Sequence, residues 1–237
     1  MSRKYLGDHF DIHTGGVDHI TVHHSDEIVQ AECSYATDKP WVKYWMHSQF
    51  LNINGAKVSK SAGDDLSLPG ILAKGFTPED LRYFFLQAKY SSFQDFTWEA
   101  LEAAKAARFR LVRKLQSFID VKPSSDYKDD VSYLEEVLLD DLDTPKLIAR
   151  IWASLDAMDE NLASGLRWFD DQILKIGLFE KLPLIEIPSY VLDLANKRRA
   201  AKQVKDFSAA DALRDELTAT GWKMNESKDE YTLEPLK

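Results

Sequence analysis

The stretch Gly55–Asp65, GAKVSKSAGDD, sets two lysines and two serines between glycines. Lys57 and Lys60 are compact cations on flexible stems, suited to follow a polyphosphate. Ser59 and Ser61 add hydroxyls, and exposed loop N–H groups add further donors. The same composition also makes an ordinary solvated hairpin tip, so the loop by itself leaves both readings open. A second group is His23 and Glu27, within FDIHTGGVDHITVHHSDEIVQAE. If a helix starts near His23, the spacing of four residues puts both side chains on one face. Imidazole and carboxylate both ligate zinc. The alternative is a surface ion pair, and two ligands do not complete a structural zinc site. Just upstream, HTGGVD reads as a glycine turn after a strand. Gly15, Gly16 and Asp18 there would let the backbone approach a ribose-bearing ligand at the carboxyl edge of a sheet. The last group is the basic run Lys197, Arg198, Arg199, Lys202 and Lys205. On one helical face it would meet phosphates; otherwise it is a solvated face balanced by Asp193 and Asp206.

These residues need elements to hold them, and the chain changes texture three times. Over 1–92, short β-like runs such as HFDIH and YWMHSQFLNI alternate with turns and helical stretches, which predicts α/β structure. FTPEDLRYFFLQAKY is a well-started helix, with Thr77 as N-cap, Pro78 at the first position, and Glu79 and Asp80 at the positive end. Over 93–182 the period is helical. WEALEAAKAARFRLVRKLQSFI sets Leu101, Ala104, Phe109, Leu111, Leu115 and Phe118 mostly on one face. DTPK starts another helix, with Thr144 as cap and Pro145 at the first position, and LRWFDDQILKIGLF closes the region as a helix. Together these predict an antiparallel helical bundle. Over 188–237 the pattern predicts two helices broken near Asp206–Ser208, an end at Gly221, and a hairpin turning at Glu226–Asp229.

Composition narrows the function classes. The net charge is −9, so nucleic-acid contact must be local rather than a property of the whole surface. One cysteine, Cys33, leaves no disulfide within the chain and suits a reducing compartment. No apolar run approaches the roughly 20 residues of a membrane span. The expectation is a cytoplasmic protein with no membrane partner.

In their order along the chain, the motifs resemble cysteinyl-tRNA synthetases, a family of class I aminoacyl-tRNA synthetases. KVSKS resembles the KMSKS signature of that class. GGVDHITVHHSDEIVQAE is similar to the family's GG-x-D-x-x-x-x-HH-x-x-E-I-x-Q. KYWMHSQFLNINGAKVSKSAGD, DDLDTP and KDFSAADALRDEL are similar to its later motifs. The resemblance covers essentially all of the chain. It implies a partial class I Rossmann-like catalytic domain, a helical bundle of the DALR-like, tRNA-binding kind, and a small α+β domain on the anticodon side. It further implies that Lys60, supported by Lys57, Ser59 and Ser61, contacts ATP phosphates, with magnesium accompanying ATP. Gly15, Gly16 and Asp18 would line the adenylate pocket, and His23 and Glu27 would be two of four zinc ligands. Zinc in this family binds the substrate cysteine as thiolate, which selects it against serine. The implied partners are L-cysteine and the tRNA for cysteine.

The chain also departs from the family pattern. The family is roughly twice as long, and its first half carries the HIGH signature and two cysteine zinc ligands. No H-x-G-H occurs in these 237 residues, and Cys33 does not stand at a ligand position. The expectation is half of a cysteine–tRNA ligase that needs its N-terminal half in cis or trans. By itself it should neither activate cysteine nor hold zinc tightly, and it should expose an apolar sheet face. The competing expectation is a stand-alone tRNA-binding or regulatory module without catalysis. Val58 replaces the motif methionine. Leu233 stands where the family carries an anticodon-linked tryptophan, which leaves Tyr231 as the ring available for stacking.

Overall fold

The computed structural model describes all of the chain except residues 1, 35–38, 54–55, 58–65, 128, 183–186, 227–230 and 236–237. The chain divides into two units, Met1–Leu182 and Pro183–Lys237. Among the described residues no helix is long and apolar enough to cross a membrane.

The first unit opens with helix α1 (Ser2–Leu6) and strand β1 (Phe10–Gly16). Helix α2 (His23–Val29) follows, and the chain returns as β2 (Val42–Ser48), parallel to β1 with Phe10 opposite Val42 and Gly16 opposite Ser48. A parallel pair needs a long crossover, and α2 provides it. Trp41 and Val42 pack with Ala31, Phe10, Ile28 and Trp45 into a small core. On the sheet, Ile12 lies opposite Tyr44. Both are exposed, at 62% and 68%, although parallel sheets are normally covered on both faces.

A second sheet has the order β4–β3–β5: Leu51–Ile53 (β3) pairs antiparallel with Ala56–Lys57 (β4) and parallel with Gln94–Phe96 (β5). Helix α3 (Leu68–Ala73) is capped by the Ser67 hydroxyl, which accepts the Gly70 N–H. Helix α4 (Pro78–Leu86) begins with a full capping box. The Thr77 hydroxyl accepts the Asp80 N–H at 3.2 Å, and the Asp80 carboxylate accepts the Thr77 N–H at 2.9 Å.

Helix α5 (Trp98–Lys114) buries Leu101, Ala104, Leu111 and, just past its end, Leu115. The residue completing that row is Arg108, also buried; Phe109, expected on this face, is only half-buried and lies under the Arg113 guanidinium. The row packs with α6 (Ser132–Leu139), α7 (Thr144–Ser154) and α8 (Glu160–Phe169) into the main core, through Leu134, Leu147, Ile151, Leu166 and Phe169.

Two local expectations change here. The cap of α7 is Asp143, not Thr144: its carboxylate accepts the Lys146 N–H, while the Thr144 hydroxyl donates instead to the Ala88 carbonyl at 3.1 Å. The closing helix is also shorter than its apolar period suggests. After a π-turn over Asp170–Leu174, Lys175 takes a left-handed conformation with φ 54°. The buried Asp170 carboxylate accepts the N–H groups of Ile176 and Leu178 at 3.0 and 2.7 Å, which folds the chain back instead of extending the helix.

The second unit pairs α9 (Ser189–Gln203) with α10 (Phe207–Ala219), then a hairpin of β6 (Trp222–Glu226) and β7 (Tyr231–Pro235). Gly221, at φ +82°, makes the turn between α10 and β6, a conformation that favours glycine. Val191, Leu194, Leu217 and Trp222 form the core, with Leu233 packed against them.

Candidate functional site

Strand β1 alternates its side chains, so His13 points to the face that α2 covers, and β2 brings His47 beside it. Helix α2 starts at His23, as its spacing requires. The helix does set His23 and Glu27 side by side, with Nε2 and Oε1 3.7 Å apart, but the His23 side chain is 62% exposed. Glu27 turns its other oxygen inward, where it accepts a hydrogen bond from His13 Nε2 at 2.7 Å. Directly below, the buried His24 shares a hydrogen bond of 2.8 Å with His47, between Nδ1 and Nε2. His13, His24 and Glu27 each offer one ligand atom, and these atoms all lie within 4.8 Å of one another. The structure therefore gathers His13 and His24 with Glu27, while His23 flanks Glu27 from the exposed side. The reason is tertiary: α2 lies on the strand that carries His13, and its second residue, not its first, faces that strand.

Three features tune the cluster. Burial lowers the His24 pKa, and the neighbouring imidazoles of His13 and His47 lower it further, so His24 favours the neutral form that ligates metal. Trp45 closes one side, with its ring centroid 4.9 Å from those of both His13 and His24. Gly15 leaves the space that His24 needs, since a Cβ there would lie 2.5 Å from His24 Cε1 and 2.9 Å from His19 Nδ1. Gly16 makes the same allowance for the exposed Asp18 carboxylate, which a Cβ would strike. Gly15 and Gly16 are therefore not a turn after the strand, as expected, but the last two residues of β1, paired with His47 and Ser48, and they fit the histidine cluster, a role that the residue types alone do not disclose. His13 and His47 were missed for a related reason: each is a single histidine in a strand, with no ligand spacing to mark it.

Two imidazoles and one carboxylate are donors of the kind that zinc accepts. The chemistry of these residues fits the metal.

Of the residues in the K-V-S-K-S stretch, Lys57 ends β4, where its backbone pairs with Asn52. Ser59, Lys60 and Ser61 lie outside the described residues. In the second unit the basic run does not share one face. Arg198 is buried at 7% exposure, whereas Lys197, Arg199 and Lys202 are exposed along α9, and Lys205 lies beyond its end with φ 61°. Tyr231 is partly buried, and its hydroxyl donates to Asn196 Oδ1 at 2.8 Å.

With this geometry in hand, similarity to known proteins identifies the region. Residues 1–106 match the model of the tRNA synthetases class I (C) catalytic domain. The whole chain is 36% identical over 240 residues to a cysteine–tRNA ligase of Opitutus terrae, covering 100% of this chain and 51% of that protein. It is 34% identical to the cysteine–tRNA ligase of Treponema denticola, again covering 100% of this chain and 54% of the relative. It is 36% identical to cysteine–tRNA ligase 1 of Burkholderia lata, covering 97% of this chain and 48% of that protein. The chain thus spans about half the length of these relatives and is similar to cysteine–tRNA ligases along essentially all of its own length.

Proposed function

We propose that this chain is the second half of a cysteine–tRNA ligase, which uses ATP to activate cysteine and transfers it to its tRNA. The observation that carries this reading is similarity along the entire chain to proteins of that name, joined to a histidine–carboxylate cluster beside Gly15 and Gly16. In the reaction, the cysteine carboxylate attacks the α-phosphate of ATP and pyrophosphate leaves. Lys60, with Lys57, neutralises the charge that builds on the leaving phosphates, and Ser59 and Ser61 hydrogen-bond to them. Magnesium accompanies ATP. Gly15, Gly16 and Asp18 border the adenylate.

Glu27 is the centre of the zinc site in this proposal. His13 and His24 join it by geometry, and His23 joins it by resemblance. Zinc, when bound, supplies a soft cation that takes the cysteine thiolate and not a serine hydroxyl. Residues 93–182 and 188–237 grip the tRNA, with Lys197, Arg199 and Lys202 offering phosphate contacts. The N-terminal half of the enzyme, in cis or trans, covers the exposed Ile12–Tyr44 face of the β1–β2 pair. A cytoplasmic location accompanies this reading, and the free, exposed Cys33 suits a reducing compartment.

The test is cysteine-dependent pyrophosphate exchange into ATP, with the 237-residue chain alone and with the N-terminal half of a similar ligase added. Exchange is expected only in the mixture, and Lys60→Ala should reduce it by about 10²-fold or more. Exchange by the chain alone would show that it needs no second half. Specific binding of tRNA with no exchange in either sample would favour a stand-alone tRNA-binding module.

A further inference from the structure

The segment DDLDTP does no work in the scheme above, yet its backbone is strained. Asp141 and Leu142 are consecutive and both left-handed, with φ 54° and 53°. Neither is glycine, and for leucine this conformation is a true outlier, the sort that persists only where surroundings impose it. Those surroundings are the corner after α4. Asp143 pairs with Lys89 at 3.0 Å, Asp141 accepts the Tyr90 hydroxyl at 2.6 Å, and Thr144 donates to the Ala88 carbonyl. Three successive residues of that corner, Ala88, Lys89 and Tyr90, thus hold Thr144, Asp143 and Asp141. The Lys89 partnership holds the Asp143 carboxyl below its ordinary range, and the Asp141 hydrogen bond raises the Tyr90 phenol.

The corner in turn holds the strand that leads to the K-V-S-K-S stretch. The Tyr90 carbonyl accepts the Gln49 N–H at 2.8 Å, at the exit of β2. Two residues later β3 begins; it pairs with β5 just past the corner and with β4, from which the chain enters residues 58–65. A cleft of about 300 Å³ lies between the two sides, lined by Gln49, Phe50, Phe85, Tyr90, Leu142 and Thr144 among others. We propose that Asp141 and Asp143 are positioning residues: through Tyr90 and Lys89 they fix the Gln49 backbone and strands β3 and β4, and with them Lys57, against the helical part of the unit. The functional meaning of this lock rests on the nucleotide reading of the K-V-S-K-S stretch given above.

The experiment compares Tyr90→Phe and Asp141→Asn with the full unaltered chain; asparagine tolerates the left-handed conformation, so only the anionic acceptor is lost. Backbone hydrogen exchange is read at Gln49–Ile53 and, as a control, in α8. About fivefold faster exchange is expected at Gln49–Ile53 only, since the lost hydrogen bond has a charged acceptor but is solvent-exposed. No change there, or equal acceleration in α8, overturns the proposal. The affinity for magnesium-ATP is then measured in the same variants beside Lys60→Ala. Weaker binding in the lock variants and in Lys60→Ala supports the proposal, and weakening in Lys60→Ala alone overturns it. Faster local exchange with no effect of any variant on ATP shows that the lock stands and the nucleotide reading fails.

Discussion

Arg108 is the most consequential charge in the first unit, and Arg108→Met tests why. Its side chain is 5% exposed and that of Asp80 1%. Nε donates to Asp80 Oδ1 at 2.8 Å, one terminal nitrogen to the Ile176 carbonyl at 3.0 Å, and the other pairs with Glu180 at 3.1 Å. Burial lowers the pKa of the guanidinium, but the hydrogen bonds to Asp80 and Glu180 outweigh it and the net shift is upward. Methionine fills a similar volume, so cavity formation contributes little. What remains is a buried Asp80 carboxylate with the Thr77 N–H as its partner among the described residues, and an Ile176 carbonyl without the Arg108 donor. Removing one member of a buried pair costs about 3–5 kcal/mol. For a chain of this size that lowers Tm by roughly 6–20 °C. Urea unfolding followed by tryptophan fluorescence reads the first unit, because Trp41, Trp45, Trp98, Trp152 and Trp168 all lie within it. The double variant Arg108→Met, Asp80→Asn should recover part of the loss, since no charge is left uncompensated. A single variant that loses less than about 1 kcal/mol, or a double variant as damaged as the sum of the two singles, would refute the reasoning.

Further substitutions probe the closing turn and the histidine cluster. Asp170→Asn keeps one acceptor for two buried N–H groups and should destabilise by about 1–3 kcal/mol. Burial raises the Asp170 pKa, opposed by the hydrogen bonds from Ile176 and Leu178. An acid whose pKa is raised on folding contributes most stability below its unfolded value, near 3.9, and loses it as pH climbs through the folded value. The difference between the parent and Asp170→Asn should therefore shrink with rising pH across that window; a difference that grows would contradict the burial argument. For metal, equilibrium dialysis with zinc should show His13→Ala and Glu27→Gln weakening binding about tenfold or more, and His23→Ala less. The reverse order would restore the ligand pair implied by resemblance. Gly15→Ala should weaken zinc binding through displacement of His24 while leaving the Arg108-centred core intact, seen as a lower zinc affinity without a matching fall in urea midpoint.

The features read correctly from sequence are those whose interactions close over a few residues. Thr77 and Asp80 complete their capping box three residues apart, and Gly221 turns the chain after α10 by its own conformational freedom. The motifs that resemble cysteine–tRNA ligases are also local strings, so that likeness is legible in the sequence alone. Even at this range a competitor changed one outcome: Asp143 took the cap of α7 because Thr144 found a better partner in Ala88, 56 residues away. The remainder was decided by tertiary structure. Arg108 occupies a position in an apolar row, and nothing in α5 announces partners 28 and 68 residues distant. His13 becomes a metal-site candidate only because α2 folds back on β1, and the Asp141 turn acquires its strain only when Tyr90 arrives from another element. Periodicity and capping register energies between neighbours in sequence. A buried charge, a convergent ligand set and an imposed left-handed turn depend on groups that become neighbours only after the core has closed.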